Sequence, residues 1–442
     1  MEGNTAWLLT SAALVLLMTP GLAFFYGGMV RSKSVLNMLM MSFGSIGLVG
    51  VLWVIFGYSA AFGKDVGGGL LGDPFEAIGL SGLMGGDALT GTGFVAFQAM
   101  FAVITVALIS GAVADRVRFG AWLLFAGIWA TIVYFPVAHW VFAFDAKDEA
   151  TGEVTKAGGW IANHLGALDF AGGTAVHINA GAAALALVLV IGKRVGWPKE
   201  PMKPHNLPFV MLGAGLLWFG WFGFNAGSAL KADNTAGVAF INTFTATAVA
   251  MLAWLLVERL RDGKGTSLGA ASGIVAGLVA ITPACAFVDT WGALAIGFAA
   301  GVLCALAVGL KYRLGFDDSL DVVGVHLVGG LTGTLLLGLF STSGVKEGTA
   351  DGLFYGGGFS QLGKQAVAAG AVLAYSFVLA AIIGFLINKT LGFRVSSEDE
   401  VTGIDEAEHA ETGYDFGSRG GRPAGHGGGV AAAAKKLEGS KA

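Results

Sequence analysis

The chain has 442 residues, 55% of them hydrophobic and 13% charged, with 72 glycines, a mean hydropathy of +0.71 and a formal net charge of −4. Soluble domains carry about 25% charged residues, so this composition excludes a soluble protein and defines a membrane protein. Apolar runs recur up to residue 392 with no gap that would hold a soluble catalytic domain, so residues 1–392 read as one transmembrane domain.

Eleven spans of about 20 residues or more are expected. They run at 5–28, 36–62, 92–113, 118–142, 169–192, 207–229, 236–258, 267–283, 287–310, 322–340 and 366–391. The first resembles a secretory signal only in hydrophobicity: Arg31 and Lys33 follow the apolar run instead of preceding it, so it is kept as a mature helix. Loops after odd-numbered spans hold thirteen Lys and Arg, and loops after even-numbered spans hold six, Lys346 among them. Cytoplasmic loops collect basic residues, so the N-terminus is expected outside and the C-terminus in the cytoplasm.

In the third span, AFQAMF sets Phe97 and Phe101 four residues apart on one face. On spacing alone such a pair is core packing. The fifth span opens with LDFAGGTAVHINAG, which carries Asp169 and His177, and the sixth ends with WFGFNAGS, which sets Trp221, Phe224 and Ser228 toward its outer end. Aromatic faces hold an ammonium-like cation by ~1 to 2 kcal/mol, and a serine hydroxyl accepts one of its hydrogen bonds. Such a site captures a cation without carrying it through, because an unpaired ion in a low-dielectric pore loses most of its solvation.

The tenth span echoes the fifth: SLDVVGVHLVGG has an aspartate near the helix start and a histidine, His326, one to two turns later. Five spans separate the copies, so the second crosses in the opposite direction, the signature of an inverted repeat. PGLAFFYGGMV in the first span and GWFGFNAGSAL in the sixth form a weaker echo. Spans one to five and six to ten then make two inverted five-helix halves, with the eleventh a C-terminal addition. Eight residues from Asp169 at 1.5 Å each place His177 about 12 Å deep, and five residues from Asp321 place His326 about 7.5 Å deep from the other side. The repeat axis brings the two imidazoles together near the midplane, where burial favours the neutral ring. Asp169 is either a helix cap or an electrostatic support for a cation at the outer mouth. Asp321 reads as a cap, and Cys285 and Cys304 as packing residues with no metal-ligand partner close by.

From about residue 394 the composition turns acidic and then Gly- and Ala-rich. By charge alone the acidic part is a solvated tail, and 417–442 is disordered.

Taken together, LDFAGGTAVHINAG, WFGFNAGS, PGLAFFYGG, DDSLDVVGVH and ALISGAVADRVRF (107–119) resemble the ammonium transporter family of Amt, Mep and Rh proteins, in its bacterial Amt form. The resemblance covers residues 5–415 and implies an all-α homotrimer of eleven-helix subunits in the cell membrane, each with its own pore. It implies a substrate of ammonium or ammonia, no cofactor, no metal, no nucleic acid and no enzymatic activity. His177 and His326 match the paired pore histidines, Phe101 and Phe224 the stacked gate, Phe97 and Ser228 the outer cation site, and Asp169 an aspartate that supports recruitment and deprotonation. One position departs from the pattern: AHWVF sets Phe142 where members often carry a tryptophan, with Trp140 and Trp160 nearby and 143–157 as extra outer loop. The tail over 393–416 resembles a cytosolic regulatory element that meets PII-type proteins. The function implied is a transporter that recruits ammonium, deprotonates it and conducts ammonia, with or without a separately carried proton. An ammonium sensor signalling to a cytosolic partner is the alternative, for which 394–442 is short of a signalling domain.

Overall fold

The computed structural model describes residues 2–415 except 88, 90, 149 and 201. Residues 416–442 lie outside the described part, and with them the expected disordered end. The apolar helices run in the order α1 (Glu2–Met29), α2 (Ser32–Phe62), α3 (Thr92–Val113), α4 (Phe119–Phe142), α5 (Gly173–Ile191), α6 (Leu207–Gly227), α7 (Asn234–Asp262), α8 (Ser267–Ile281), α9 (Thr290–Leu314), α10 (Val323–Phe340) and α11 (Ser360–Thr390). Ten of them are long and apolar enough to cross a membrane. The exception is α8, whose 15 residues reach about 22 Å at 1.5 Å each, short of a ~30 Å hydrocarbon layer. Of the eleven crossings expected from the sequence, ten fall on helices of spanning length and the other falls on the shorter α8.

Helix is the form such runs must take, since lipid offers no partner for backbone N–H and C=O groups. Small residues then let the helices close on one another. At Gly213 of α6 a Cβ would lie 2.3 Å from the backbone nitrogen of Phe25 in α1, so only glycine permits this crossing. The start of α1 meets the end of α6, where the Trp7 indole donates to the Ala226 carbonyl at 3.2 Å. Its end meets the start of α6, where Asn206 N donates to Gly28 O at 3.1 Å. These contacts define two faces, one carrying the N-terminus and one carrying the tail. Polar caps start the later helices: Asn206 accepts from Phe209 N, Asp233 from Thr235 N, Thr266 from Gly269 N and Asp289 from Gly292 N. Each such cap stabilises its helix by about 0.5 to 2 kcal/mol. The 143–157 loop folds back as a short antiparallel pair, β1 (Ala146–Lys147) with β2 (Val154–Lys156).

On the tail face the charge-based expectation holds only in part. The acidic tail carries α12 (Ser397–Thr402) and α13 (Ile404–His409), and three of its acids are docked, while Glu398, Glu406 and Glu411 stay exposed. Asp405, 2% exposed, accepts from Leu36 N at 3.0 Å and Asn37 N at 2.8 Å at the start of α2. Glu408 accepts from Phe119 N at 2.9 Å at the start of α4, and Glu400 from Val195 N at 2.6 Å. Helix N-termini present unpaired N–H groups and positive potential, and that is what Asp405 and Glu408 satisfy; Glu400 caps a turn instead. Two of the loop cations are likewise buried: Asp317 pairs with Arg116 at 3.1 Å and Arg194 at 2.8 Å, and Asp115 pairs with Arg194 at 3.3 Å.

Candidate functional site

The chain entering α5 is not helical before residue 173, so His177 is the fifth residue of its helix and does not follow eight helical residues from Asp169. The expected span of 169–192 shortens accordingly. Asp169 instead folds the approach: its Oδ1 accepts from Gly172 N at 2.8 Å and Gly173 N at 2.7 Å, and its Oδ2 from Thr174 N at 2.8 Å and Thr174 Oγ1 at 2.5 Å. Gly172 sits at φ 114°, a conformation open to glycine. A π-helical turn, Gly173–Ile178, then presents His177.

The approach to α10 repeats this with another aspartate than expected. Asp318 accepts from Val322 N at 3.1 Å and Val323 N at 2.7 Å, ahead of a π-helical turn, Val323–Leu327, that presents His326. Asp318 stands eight residues before His326, as Asp169 stands eight before His177. Asp321 is therefore not the cap. It occupies the position of Gly172, at φ 63°, and its carboxylate binds Lys311 Nζ at 2.7 Å. Such π turns cluster at functional sites.

The two helices meet reciprocally. Gly181, four residues after His177, has room only for hydrogen against Leu327 N, and Gly330, four after His326, faces Ile178 N and the His177 Cβ. The imidazoles lie 5.4 Å apart at 21°, with Nδ1 3.3 Å from Nδ1, and are 1% and 2% exposed. One Nδ1 donates and the other accepts, so a neutral pair holds opposite tautomers and one shared proton.

The aromatic residues divide in two. Phe101 and Phe224 stack at 4.0 Å and 16°, both 1% exposed, so no solute passes them without a ring moving. Phe97 lies 4.9 Å from Phe101, the Phe142 ring stands edge-on to Phe101 at 6.2 Å, and the Ser228 hydroxyl donates to Phe224 O at 2.8 Å, leaving its own oxygen free to accept. Trp221 is not at the mouth. Its ring stacks on His177 at 5.4 Å and 16°, and its Nε1 donates to Thr282 Oγ1 at 2.9 Å. Trp140 is outside the cluster: it packs on Tyr375 and Trp160 and donates to Leu70 O at 2.8 Å. Below the stacked rings, Leu22, Ile104, Val176, Trp221, His177 and His326 line a cavity of about 10 Å³. That volume suits one water-sized molecule.

Asp318 and Thr282 were missed in the sequence; the first had a signal, the repeated spacing of eight, and the second had none. Among the described residues no three His, Cys, Asp or Glu come together to hold a metal ion.

A bundle of long apolar helices around a small histidine-lined cavity marks a multi-pass membrane protein. The chain belongs to the Ammonium Transporter Family, whose profile it matches over residues 6–414. This is a family of transporters, not enzymes. The chain is 64% identical over 439 residues to an ammonium transporter of Mycobacterium tuberculosis, covering 94% of this chain and 90% of that one. Its fold is similar to the crystal structure of Saccharomyces cerevisiae Mep2, with TM-score 0.82, 35% identity and coverage of 90% and 88%. It is also similar to the structure of a sensor Amt protein, with TM-score 0.83, 29% identity and coverage of 92% and 98%.

Proposed function

We propose that this transporter recruits ammonium on its N-terminal face, takes a proton from it and conducts ammonia past His177 and His326. The observation that carries the reading is the imidazole pair, 3.3 Å apart in a cavity of about 10 Å³ with no charged wall. Ammonium there would shed a hydration shell worth tens of kcal/mol by the Born estimate, whereas ammonia sheds far less. Phe97, Ser228 and Phe142 form the cation site, Phe101 and Phe224 the gate, and Trp221 the platform that holds the His177 ring. Asp169 serves first as the cap of α5, and its charge lowers the energy of a cation arriving above it.

In this reading the N-terminal face is outside, residues 1–392 are the transport domain of a cell-membrane homotrimer, and 393–416 is a cytosolic regulatory tail open to a PII-type partner. Vesicles carrying the protein, His177→Ala or His326→Ala test it, recorded as current and as internal pH change on adding ammonium. Both variants are expected to lose wild-type behaviour. No ammonium-dependent signal from the unaltered protein ends the transport reading, and two variants that behave as wild type end the histidine assignment. Phe97→Ala should raise the half-saturating concentration.

A second reading, an ammonium sensor, has in its favour the likeness to the sensor Amt structure. The same vesicles decide: a sensor gives neither current nor pH change.

A further inference from the structure

The path described above makes no use of Lys346, a cation of the N-terminal face. Lys346 lies in the loop after α10 with Nζ 4.8 Å from the centre of the Phe287 ring and 5.2 Å from that of Phe170. The two rings meet edge to face at 5.5 Å and 90°, and Phe170 directly follows Asp169. Backbone contacts hold all three segments in register: Val288 bridges Ser341, Thr342 N donates to Phe287 O at 2.9 Å, and Phe170 N donates to Pro283 O at 3.1 Å. Lys346, Asp169, Phe287, Leu168 and Val141 line a cavity of about 200 Å³. Burial pushes the Lys346 ammonium down from its usual value, with Cys285 and Asp233 opposing. The lysine tip has exchanged part of its water for ring faces.

Two aromatic faces suit a small primary ammonium ion, and here the occupant is one, tethered to the chain. We infer that Lys346 is a specificity-determining residue of the N-terminal mouth: its ammonium fills a notch formed by Phe170 and Phe287 and keeps free ammonium and small alkylammonium ions out. Without the lysine, that notch becomes a second cation site beside the mouth, away from the stacked rings. A fixed positive charge at the mouth also weakens capture of the transported cation. The effect on uptake rests on the transport reading; the occupancy of the notch does not.

The full-length protein with Lys346→Met, Lys346→Gln, Lys346→Glu or Lys346→Arg separates these points. Methionine keeps the packing of the stem without its charge. In detergent, methylammonium chloride should raise the Tm of the Met, Gln and Glu variants beyond the effect of equal sodium chloride, and should not do so for wild type or the Arg variant. Adding Phe287→Leu to Lys346→Met should remove the gain. In vesicles the half-saturating ammonium concentration should fall about two- to fivefold in Lys346→Met, and further in Lys346→Glu. Met and Gln variants that show no methylammonium-specific rise in Tm overturn the inference. If wild-type vesicles give no ammonium signal, the transport reading fails while the melting data still decide the notch.

Discussion

At the start of α5 the Asp169 carboxylate takes four donors, whereas at the start of α10 its counterpart Asp318 takes two and lies beside the Lys311–Asp321 pair. The backbones match: a carboxylate eight residues before the histidine, a left-handed residue three after the carboxylate, then a π turn. The decoration does not. His177 is backed by Trp221 and lies below stacked phenylalanines, while His177 is the ring stacked on His326. An inverted repeat supplies a symmetric frame, and the side chains hung on it make one mouth aromatic and the other ionic.

The largest expected difference between the halves is in the caps. Asp169→Ala leaves four donors without an acceptor and Asp318→Ala leaves two, and each buried unsatisfied group costs about 1 to 3 kcal/mol. Asp169→Ala should therefore lower Tm in detergent roughly twice as far, or fail to accumulate as folded protein. Equal losses would mean that the two caps are energetically alike and the asymmetry lies elsewhere.

Next comes the left-handed position. Gly172→Ala adds a Cβ 2.5 Å from Val176 Cγ2 at φ 114°, a strain of about 1 to 3 kcal/mol. Asp321→Ala meets a backbone already held by a non-glycine residue at φ 63°, so its cost is the Lys311 pair alone. The alanine at 172 should melt lower than the alanine at 321. The reverse order would mean that the ion pair, not the backbone, dominates this position.

These differences mark what the sequence carries and what it hides. Span positions follow from hydropathy, so the third span at 92–113 coincides with α3, and the histidine pairing follows from an echo readable by eye. DDSLD, however, offers three carboxylates within five residues, and only backbone geometry selects Asp318 over Asp321 as the cap. The π turns leave no mark in a periodicity that is apolar on every face. Position along a helix places Trp221 at the mouth, and the resemblance places Trp140 there, but the side chains point one at His177 and the other at Tyr375. Asp405 and Glu408 looked solvated because the N–H groups they cap lie hundreds of residues away in sequence.

The tail face offers a comparison in pH. Burial raises the Asp318 carboxyl to about 6, with Lys311 opposing and Asp321 adding, and Tyr26 also within reach. For Asp317 burial works the same way but is outweighed by Arg194 and Arg116, which hold the carboxyl below its usual range. A raised folded-state value contributes stability fully present below the unfolded value near 3.8 and lost as pH rises through about 6. A lowered one contributes stability present above the unfolded value and lost as pH falls through the folded one. Asp318→Asn should thus flatten the change of Tm between about pH 4 and 6 while leaving the acid limb below pH 4, to which Asp317 and the other lowered carboxyls contribute. An unaltered profile between pH 4 and 6 would place that titration on another group.

The smallest effect concerns the aromatic mouth itself. Phe142 stands edge-on to Phe101 and is half-buried, so a larger ring at this position can extend toward the cation without disturbing the Phe101–Phe224 stack. An indole attracts a cation more strongly than a phenyl ring by a few tenths of a kcal/mol, so Phe142→Trp should lower the half-saturating ammonium concentration about twofold and leave the maximal rate alone. The split matters because the proposed path assigns capture and passage to different regions: capture to the rings above the gate, passage to the imidazoles below. A change in maximal rate with no change in half-saturation would assign Phe142 to the gate, and the mouth would then begin further out than Phe97.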